Sequence, residues 1–290
     1  MKKSIKLFQK IDDKYALKRL ENINVDFDID NISKISNYRV IMSYSNKNIK
    51  DEDLKEKITK FIKIMKSNFP LDYLNNLFNN ISWVDIILDS NKKNYKKGTY
   101  KIRENKIILV DKNYDQAFFH ELLHLTSTNF ISTNAVASGF LYKTPEFSFG
   151  KALNEGYTEL MKYKIFRYEP SSAYKYFFDI AMILDDIIGY EKMEKFYLTA
   201  NVKGLIEELE VYYTKEEIKD FFINLDFILK LYNEKGIIVE EKINEYKMNI
   251  SKFLMKAIKK TNMNVNYDLF ELSMDAINNS VKQSGRWLYE

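Results

Sequence analysis

The sequence predicts an α+β fold, with a small mixed or antiparallel sheet in the N-terminal half and a mostly α-helical C-terminal half. The β-rich runs lie before residue 112, whereas apolar residues recur at helical spacing from residue 151 onward. The 290 residues include only 8 glycines and 3 prolines, and no Gly/Ser/Pro-rich linker occurs, so long helices are expected. We therefore expect an α/β lobe over 1–140, a helical lobe over 141–290 and a cleft between them.

The N-terminal lobe begins with alternating strand and helix patterns. The run YRVIMSYS, at 38–45, predicts a strand, and the apolar spacing over 51–68 predicts an amphipathic helix. A second helix, PLDYLNNLFNN, is expected to begin at Pro70, because proline favours the first helical turn. The run WVDIILD, at 83–89, then predicts a buried strand.

A hairpin followed by a helix is predicted next. Two β-rich runs in GTYKIRENKIILVD, at 98–111, flank a short polar turn. The second run, 106–110, has two interpretations, an edge strand along the cleft or an internal strand. Asn113 precedes the helix YDQAFFHELLHLTS, and Gln116 stands at the capping-box position. Residues 126–150 are rich in Ser, Thr, Asn and Gly and are expected to form a long irregular segment.

The C-terminal half is predicted to consist of helices. Six segments show helical spacing of apolar residues, near 151–168, 171–188, 191–200, 215–233, 239–260 and 267–282. Aromatic residues make up 15 % of the chain, which is enough to fill a well-packed interior.

The composition excludes several functional classes. The formal charge is only +4, and lysines are interleaved with acidic residues, as in KDEDLKEKITK, so no nucleic-acid partner is expected. The chain has no cysteine, which excludes disulfides, thiol chemistry and cysteine-ligated metals. The first residues, MKKSIKLFQKIDDKYALKRL, lack the apolar core of a signal peptide, and no run of about 18 apolar residues occurs. We therefore expect a cytoplasmic protein without a membrane partner.

Both histidines of the chain lie in the stretch FFHELLH, at 118–124. His120 and His124 are four residues apart, so a helix projects both imidazoles from one face, one turn apart. Glu121 lies about 100° further round the helix, where it can accept a proton from a metal-activated water without binding the metal itself. The neighbouring residues are strongly apolar, and unpaired buried imidazoles are costly. This HExxH pattern predicts a site for one zinc ion per chain.

A third protein ligand is expected, because catalytic zinc usually has three protein ligands and one open position. Without a further histidine or a cysteine, that ligand must be Asp or Glu. In KALNEGYTELM, at 151–161, Glu155 and Glu159 again share one helix face. One of them can bind the metal while the other accepts the second ring N–H of a ligating histidine. Gly156 lies between them, and a close approach to the histidine helix would explain a glycine there.

The two motifs HELLH and NEGYTE resemble those of the gluzincin metallopeptidases, the thermolysin-like superfamily. In that family, HExxH is followed by a helix with the pattern Asn-Glu-x-x-Ser/Thr-Asp/Glu. The resemblance implies that His120 and His124 bind zinc and that Glu121 is the general base. It also implies that Glu155 is the third ligand and that Glu159 orients a ligating histidine, His120. The motifs cover only 11 residues, and the 30 residues between His124 and Glu155 exceed the separation in thermolysin.

The resemblance implies a zinc-dependent endopeptidase that hydrolyses a peptide or protein substrate. Family members use a further histidine to stabilise the oxyanion, and none exists here, so a tyrosine or an arginine is expected instead. The candidates are Tyr142, Tyr212 and Tyr213. Two alternatives remain, a regulatory peptidase specific for one intracellular protein and a non-catalytic, zinc-stabilised binding module. The presence of Glu121 beside the ligands argues against the second, because a structural site needs no base.

Overall fold

The structure is a computed structural model that describes residue 49 and residues 51–89, 97–111, 113–132, 135–233 and 240–261. Its strands lie before residue 150, and the described chain after that point is almost entirely helical. This distribution confirms the predicted α+β class. The predicted strand at 38–45 and the predicted helix at 267–282 lie outside the described residues.

Two helices precede the first sheet. Helix α1 (Glu52–Asn68) is capped by Asp51, whose carboxylate accepts two backbone N–H groups of the first turn. Its apolar face is buried, as the amphipathic pattern predicts. The helix predicted from Pro70 starts as a 3₁₀ turn at Leu71–Leu74 and continues as α2 (Asn75–Ile81).

The first sheet contains β1 (Asp85–Leu88), β2 (Gly98–Lys101) and β3 (Lys106–Leu109), in the order β1–β3–β2. Strands β2 and β3 are antiparallel, which confirms the hairpin, and β1 runs parallel to β3. Among the described residues, β3 is therefore internal and β2 is an edge strand. A strand forms within 83–89, as predicted, but the expected burial was wrong, because among the described residues β1 is the other edge strand and Leu88 is 43 % exposed.

Helix α3 (Asp115–Thr126) follows the hairpin and carries both histidines. The predicted capping box is wrong. The helix begins after Tyr114, which makes no side-chain cap, and the Asn113 N–H is donated to the Asp111 carboxylate within the preceding turn.

The segment predicted to be irregular contains a second sheet. Its strands are antiparallel and follow one another in sequence order, namely β4 (Thr128–Phe130), β5 (Val136–Ser138), β6 (Leu141–Lys143) and β7 (Ser148–Phe149). Each strand has only two or three residues, which is too short for an alternating pattern to stand out among Ser, Thr and Gly residues.

The C-terminal half is helical, as predicted. Its helices are α4 (Lys151–Phe166), α5 (Lys175–Ile188), α6 (Tyr190–Leu198), α7 (Val202–Glu210), α8 (Lys215–Asn233) and α9 (Glu240–Thr261). A 3₁₀ turn at Ser172–Tyr174 leads into α5. Helix α7 lies in a stretch where no helix was predicted.

Contacts with distant residues fix the position of α4. The Asp226 carboxylate, on α8, accepts the backbone N–H groups of Gly150 and Ala152 at 2.7 Å each and so caps the start of α4. Gly156 lies against α5, not against α3 as expected. A Cβ at Gly156 would lie 2.2 Å from the carbonyl oxygen of Phe177, so the absence of a side chain sets the spacing of α4 and α5.

The buried apolar side chains form a continuous core that extends from Ile49 to Ile258. The predicted boundary between residues 140 and 141 falls where β5 turns into β6, and the division into two lobes stays a prediction. Among the described helices, none combines the length and the apolar character that crossing a membrane requires.

Candidate metal centre

Two packed helices bring three metal-ligating side chains together. His120 and His124 project from α3, and Glu155 projects from α4, which packs against α3. The Nε2 atoms of the two histidines are 3.0 Å apart, and each lies 3.3 Å from Oε2 of Glu155. Both imidazoles are buried and the Glu155 carboxylate is partly buried. The structure thus brings together the three residues that the sequence predicted as ligands.

These separations match the spacing of ligand atoms around one ion. Ligand atoms that lie about 2.05 Å from a tetrahedral ion are about 3.3 Å from one another. Two imidazole nitrogens and a carboxylate oxygen form a donor set that zinc and other first-row transition metals accept. The group can therefore hold a metal ion, and three protein ligands leave a fourth tetrahedral position for water or substrate.

The second ring nitrogen of His120 faces Glu159. Nδ1 of His120 lies 2.7 Å from Oε1 of Glu159, although the ring N–H does not point straight at that oxygen. Charge attraction over a short distance, more than hydrogen-bond alignment, therefore orients the ring. Because Glu155 and Glu159 are one turn apart on α4, the helix presents a carboxylate to each nitrogen of the same imidazole.

The second ring nitrogen of His124 has uncharged neighbours. Nδ1 lies 3.4 Å from Oγ1 of Thr158 and 3.2 Å from Nδ2 of Asn154. The Thr158 hydroxyl donates to the Asn154 carbonyl, and its oxygen also lies 2.7 Å from the Tyr197 hydroxyl. His120 thus has a charged outer neighbour, whereas the outer neighbours of His124 are uncharged.

Glu121 lies beside the triad and faces the edge strand β2. Its Oε2 accepts the backbone N–H of Tyr100 at 2.7 Å. A Cβ at Gly98 would lie 3.0 Å from Cγ of Glu121, so the glycine leaves room for this side chain. Burial raises the pKa of the Glu121 carboxyl, although the two imidazoles partly oppose that shift. A raised pKa suits a carboxylate that has to accept a proton near neutral pH.

The carboxylates make the centre strongly attractive to a cation. Burial alone would lower the pKa of His120, but the adjacent carboxylates of Glu155 and Glu159 outweigh burial and raise that pKa to about 10. Burial opposes ionisation of Glu155, yet the two imidazoles hold its pKa well below the usual range. The pKa of Glu159 falls to about 2 despite burial, because His120 and Lys162 lie beside it.

Of the tyrosines proposed as oxyanion donors, Tyr213 uses its hydroxyl in a hydrogen bond outside the triad. Its hydroxyl donates to the Phe253 carbonyl at 2.8 Å. The ring of Tyr212 packs on that of Tyr213, with 6.1 Å between the ring centroids. Tyr142 is buried on β6, with its ring 6.1 Å from that of Phe149. These packing contacts hold the rings among C-terminal helices and in the second sheet.

Tyr174 is the tyrosine that the structure places at the triad, and the sequence interpretation missed it. Its ring stacks on that of His120, with 5.9 Å between the ring centroids. The negative charge of Glu155, and then burial, raise the pKa of the Tyr174 hydroxyl, which is hydrogen-bonded to Glu155. The one sequence signal is Pro170, which lies between the end of α4 at Phe166 and the 3₁₀ turn that carries Tyr174.

Comparison with known proteins adds no relative. No family model matches the chain, and no curated protein or solved structure is significantly similar to it.

Proposed function

We propose that the protein is a zinc-dependent metallopeptidase of gluzincin type that acts as an endopeptidase. One observation carries the proposal. The ligand atoms of His120, His124 and Glu155 converge at 3.0–3.3 Å, and the buried carboxylate of Glu121 lies beside them without belonging to the triad. Three ligands and an adjacent unligated base are what metal-assisted hydrolysis requires.

The roles of the side chains follow from their positions. Bound zinc would supply Lewis acidity, lowering the pKa of water and polarising the scissile carbonyl. Glu121 would accept the proton of the attacking water and pass it to the leaving amine. Tyr174, the tyrosine stacked on His120, would donate its hydroxyl hydrogen to the developing oxyanion, whereas the hydroxyl of the candidate Tyr213 already donates to the Phe253 carbonyl.

Strand β2 offers a recognition site for an extended peptide. The Lys97 carbonyl accepts the Val110 N–H, so the backbone groups of Lys97 face β3. Along a strand, backbone groups face alternate sides, and the N–H and C=O groups of Gly98 and Tyr100 therefore point away from β3, toward the outer edge. That edge passes Glu121, which already accepts the Tyr100 N–H. A peptide that pairs with β2 would therefore run directly past the base. The recognition edge is β2, since β3, the strand considered from the sequence, is internal.

Metal content is the first test. The purified protein should contain one zinc per chain, and His124→Ala should lose it, as measured by elemental analysis after dialysis against trace metal. The removed imidazole is one of three ligands, so the loss should exceed that of any outer contact. A folded wild-type chain that takes up no first-row metal would contradict the proposal.

Cleavage is the second test, and Glu121→Gln is the informative variant. A glutamine keeps an oxygen that can accept the Tyr100 N–H, so the fold and the metal should be retained while the base is lost. Cleavage of a peptide library should fall at least about 100-fold, the lower end of what general base catalysis contributes. Glu207→Gln, at an exposed position on α7, is the matched control and should cleave like the wild type.

The same measurements separate the alternatives. A wild-type protein that binds zinc but cleaves nothing in either a peptide library or a whole proteome would be a binding module. A protein that leaves the library intact and cleaves one protein of a proteome, in a manner abolished by Glu121→Gln, would be a regulatory peptidase.

A further inference from the structure

A buried lysine lies behind the metal centre. Lys162 of α4 is 3 % exposed, and its Nζ donates to Oε2 of Glu159 at 2.7 Å. Glu159 is itself only 2 % exposed. Lysine is almost never fully buried unless its charge is paired, so this ammonium is held in place by the carboxylate that faces His120.

The two oxygens of Glu159 have separate partners. Oε1 lies 2.7 Å from Nδ1 of His120. Oε2 receives both the Lys162 ammonium at 2.7 Å and the backbone N–H of Ser171 at 2.8 Å. Rotation of the carboxylate would break two charge-assisted hydrogen bonds at once, so the contacts at Oε2 keep Oε1 directed at the imidazole.

The Ser171 contact extends this arrangement to Tyr174. Ser171 directly precedes the 3₁₀ turn Ser172–Tyr174, and the Tyr174 ring stacks on His120. Glu159 therefore contacts a metal-ligating histidine through one oxygen and the start of the Tyr174 turn through the other. Glu159 and Tyr174 thus both contact the His120 ring, and the Ser171 N–H links Glu159 to the turn that carries Tyr174.

We propose that Lys162 is a positioning residue that fixes the Glu159 carboxylate, so that this one side chain both orients His120 and anchors the turn carrying Tyr174. The proposal rests on the proposed role of His120 as a metal ligand. It assigns to Lys162 an effect on two parts of the centre that it does not touch. An ordinary salt bridge between i and i+3 on a helix would affect neither.

Lys162→Met tests the proposal, because methionine keeps much of the side-chain length and removes the charge. We expect the Co²⁺-loaded variant to show a changed visible spectrum and about tenfold weaker Co²⁺ binding, the lower end of the effect of outer contacts on metal affinity. Hydrogen exchange over residues 168–175 should become faster, because the acceptor of the Ser171 N–H is no longer held. Lys162→Arg keeps the charge and should restore all three properties toward wild type.

Two further variants keep the test decisive. Lys164→Met removes a different ion pair of the same helix, with Asp185 and Glu194, and should leave the spectrum, the affinity and the exchange unchanged. Ser171→Pro removes the N–H at a φ of −59°, which proline adopts, and should speed exchange in the turn with little change in Co²⁺ affinity. If Lys162→Met fails to fold, comparison of Lys162→Arg with Ser171→Pro still distinguishes the effect of the charge at residue 162 on Co²⁺ affinity from the effect of the Ser171 N–H on exchange in the turn.

The outcomes distinguish this proposal from the proposed function. A Lys162→Met protein with wild-type spectrum, affinity and exchange would overturn the positioning role even if the protein proves to be a peptidase. A wild-type protein that bound no metal would refute the proposed function, and the exchange measurement alone would then decide whether Lys162 holds the turn.

Discussion

Gly156 lies on α4 next to the candidate ligand Glu155, and its replacement by alanine should disturb both stability and metal binding. The added Cβ would stand 2.2 Å from the carbonyl oxygen of Phe177 and 2.4 Å from its carbonyl carbon. Both are backbone atoms of α5, so no side-chain rotation relieves the overlap. An ordinary contact needs about 3.4 Å, so α4 and α5 must separate by about 1.2 Å.

The free-energy change combines two opposing effects. Overpacking of a core costs up to about 3 kcal/mol, whereas alanine in place of a helical glycine contributes about 1 kcal/mol of helix propensity. The variant should therefore lose about 2 kcal/mol, which corresponds to about 4–8 °C in Tm for a chain of this size. A shift of about 1 Å in Glu155 also exceeds the 0.2 Å tolerance of a metal–ligand distance, so zinc affinity should fall at least tenfold.

Thermal unfolding and zinc competition with a chelator measure the two effects. Gly204→Ala, within α7, is the matched control, because the added Cβ would meet only side-chain atoms of Asn201 and Phe196, which can move. The control should retain wild-type zinc affinity. A Gly156→Ala protein that melts at or above the wild-type temperature with unchanged zinc affinity would refute the view that this backbone contact sets the ligand position.

Three further outcomes are expected. Gly98→Ala should place a methyl group 3.0 Å from Cγ of Glu121, displacing the base and lowering kcat about tenfold while bound zinc stays at one per chain, as steady-state kinetics and elemental analysis can show. Tyr174→Phe should lower kcat about 100-fold at unchanged KM and zinc content if its hydroxyl stabilises the oxyanion, and unchanged kcat would exclude that role. Burial raises the pKa of Asp226 to about 6 although backbone N–H groups oppose the shift, so the stabilising protonated form is complete below about pH 4 and is lost as the pH rises through 6. Urea unfolding at pH 4.5 and 7.5 measures this effect: between the two pH values, the stability of the wild type relative to Asp226→Asn should rise by about 2 kcal/mol at the lower pH. Parallel behaviour of the two proteins would contradict the raised pKa.

The ligand set could be predicted from sequence because it depends on local helix geometry. Residues four apart face the same way, so His120 with His124 and Glu155 with Glu159 each form a pair whatever the rest of the chain does. The helical half could be predicted for the same reason. The short strands β4–β7 could not, since two or three residues do not establish a period.

The residues that support the ligands could not be predicted, because their partners are distant in sequence. Tyr174 contacts His120 from a 3₁₀ turn that follows the end of α4, more than 50 residues further along the chain. The spacing of Glu159 and Lys162 is that of an ordinary exposed helix pair, and nothing local indicates that both side chains are buried. Asp226 caps a helix whose first residue lies 75 positions earlier. Tertiary packing, not local propensity, decides each of these contacts.

The balance of charges around the centre explains why carboxylates, imidazoles and an ammonium occur together there. Neither sequence motif alone shows this balance. Three carboxylates, those of Glu121, Glu155 and Glu159, surround two imidazoles, and one ammonium, that of Lys162, lies behind them. With neutral imidazoles and ionised carboxylates the group carries a formal charge of −2, which a divalent cation would neutralise. A buried excess of negative charge is otherwise costly, so protons must take the place of the cation in its absence. Glu155 and Glu159 raise the pKa of His120 to about 10, so this imidazole is the group that would carry such a proton. Metal binding would therefore displace a proton from a ligand and become weaker as the pH falls. The carboxylates that attract the metal ion also attract protons, so the ion and the protons compete for the same centre.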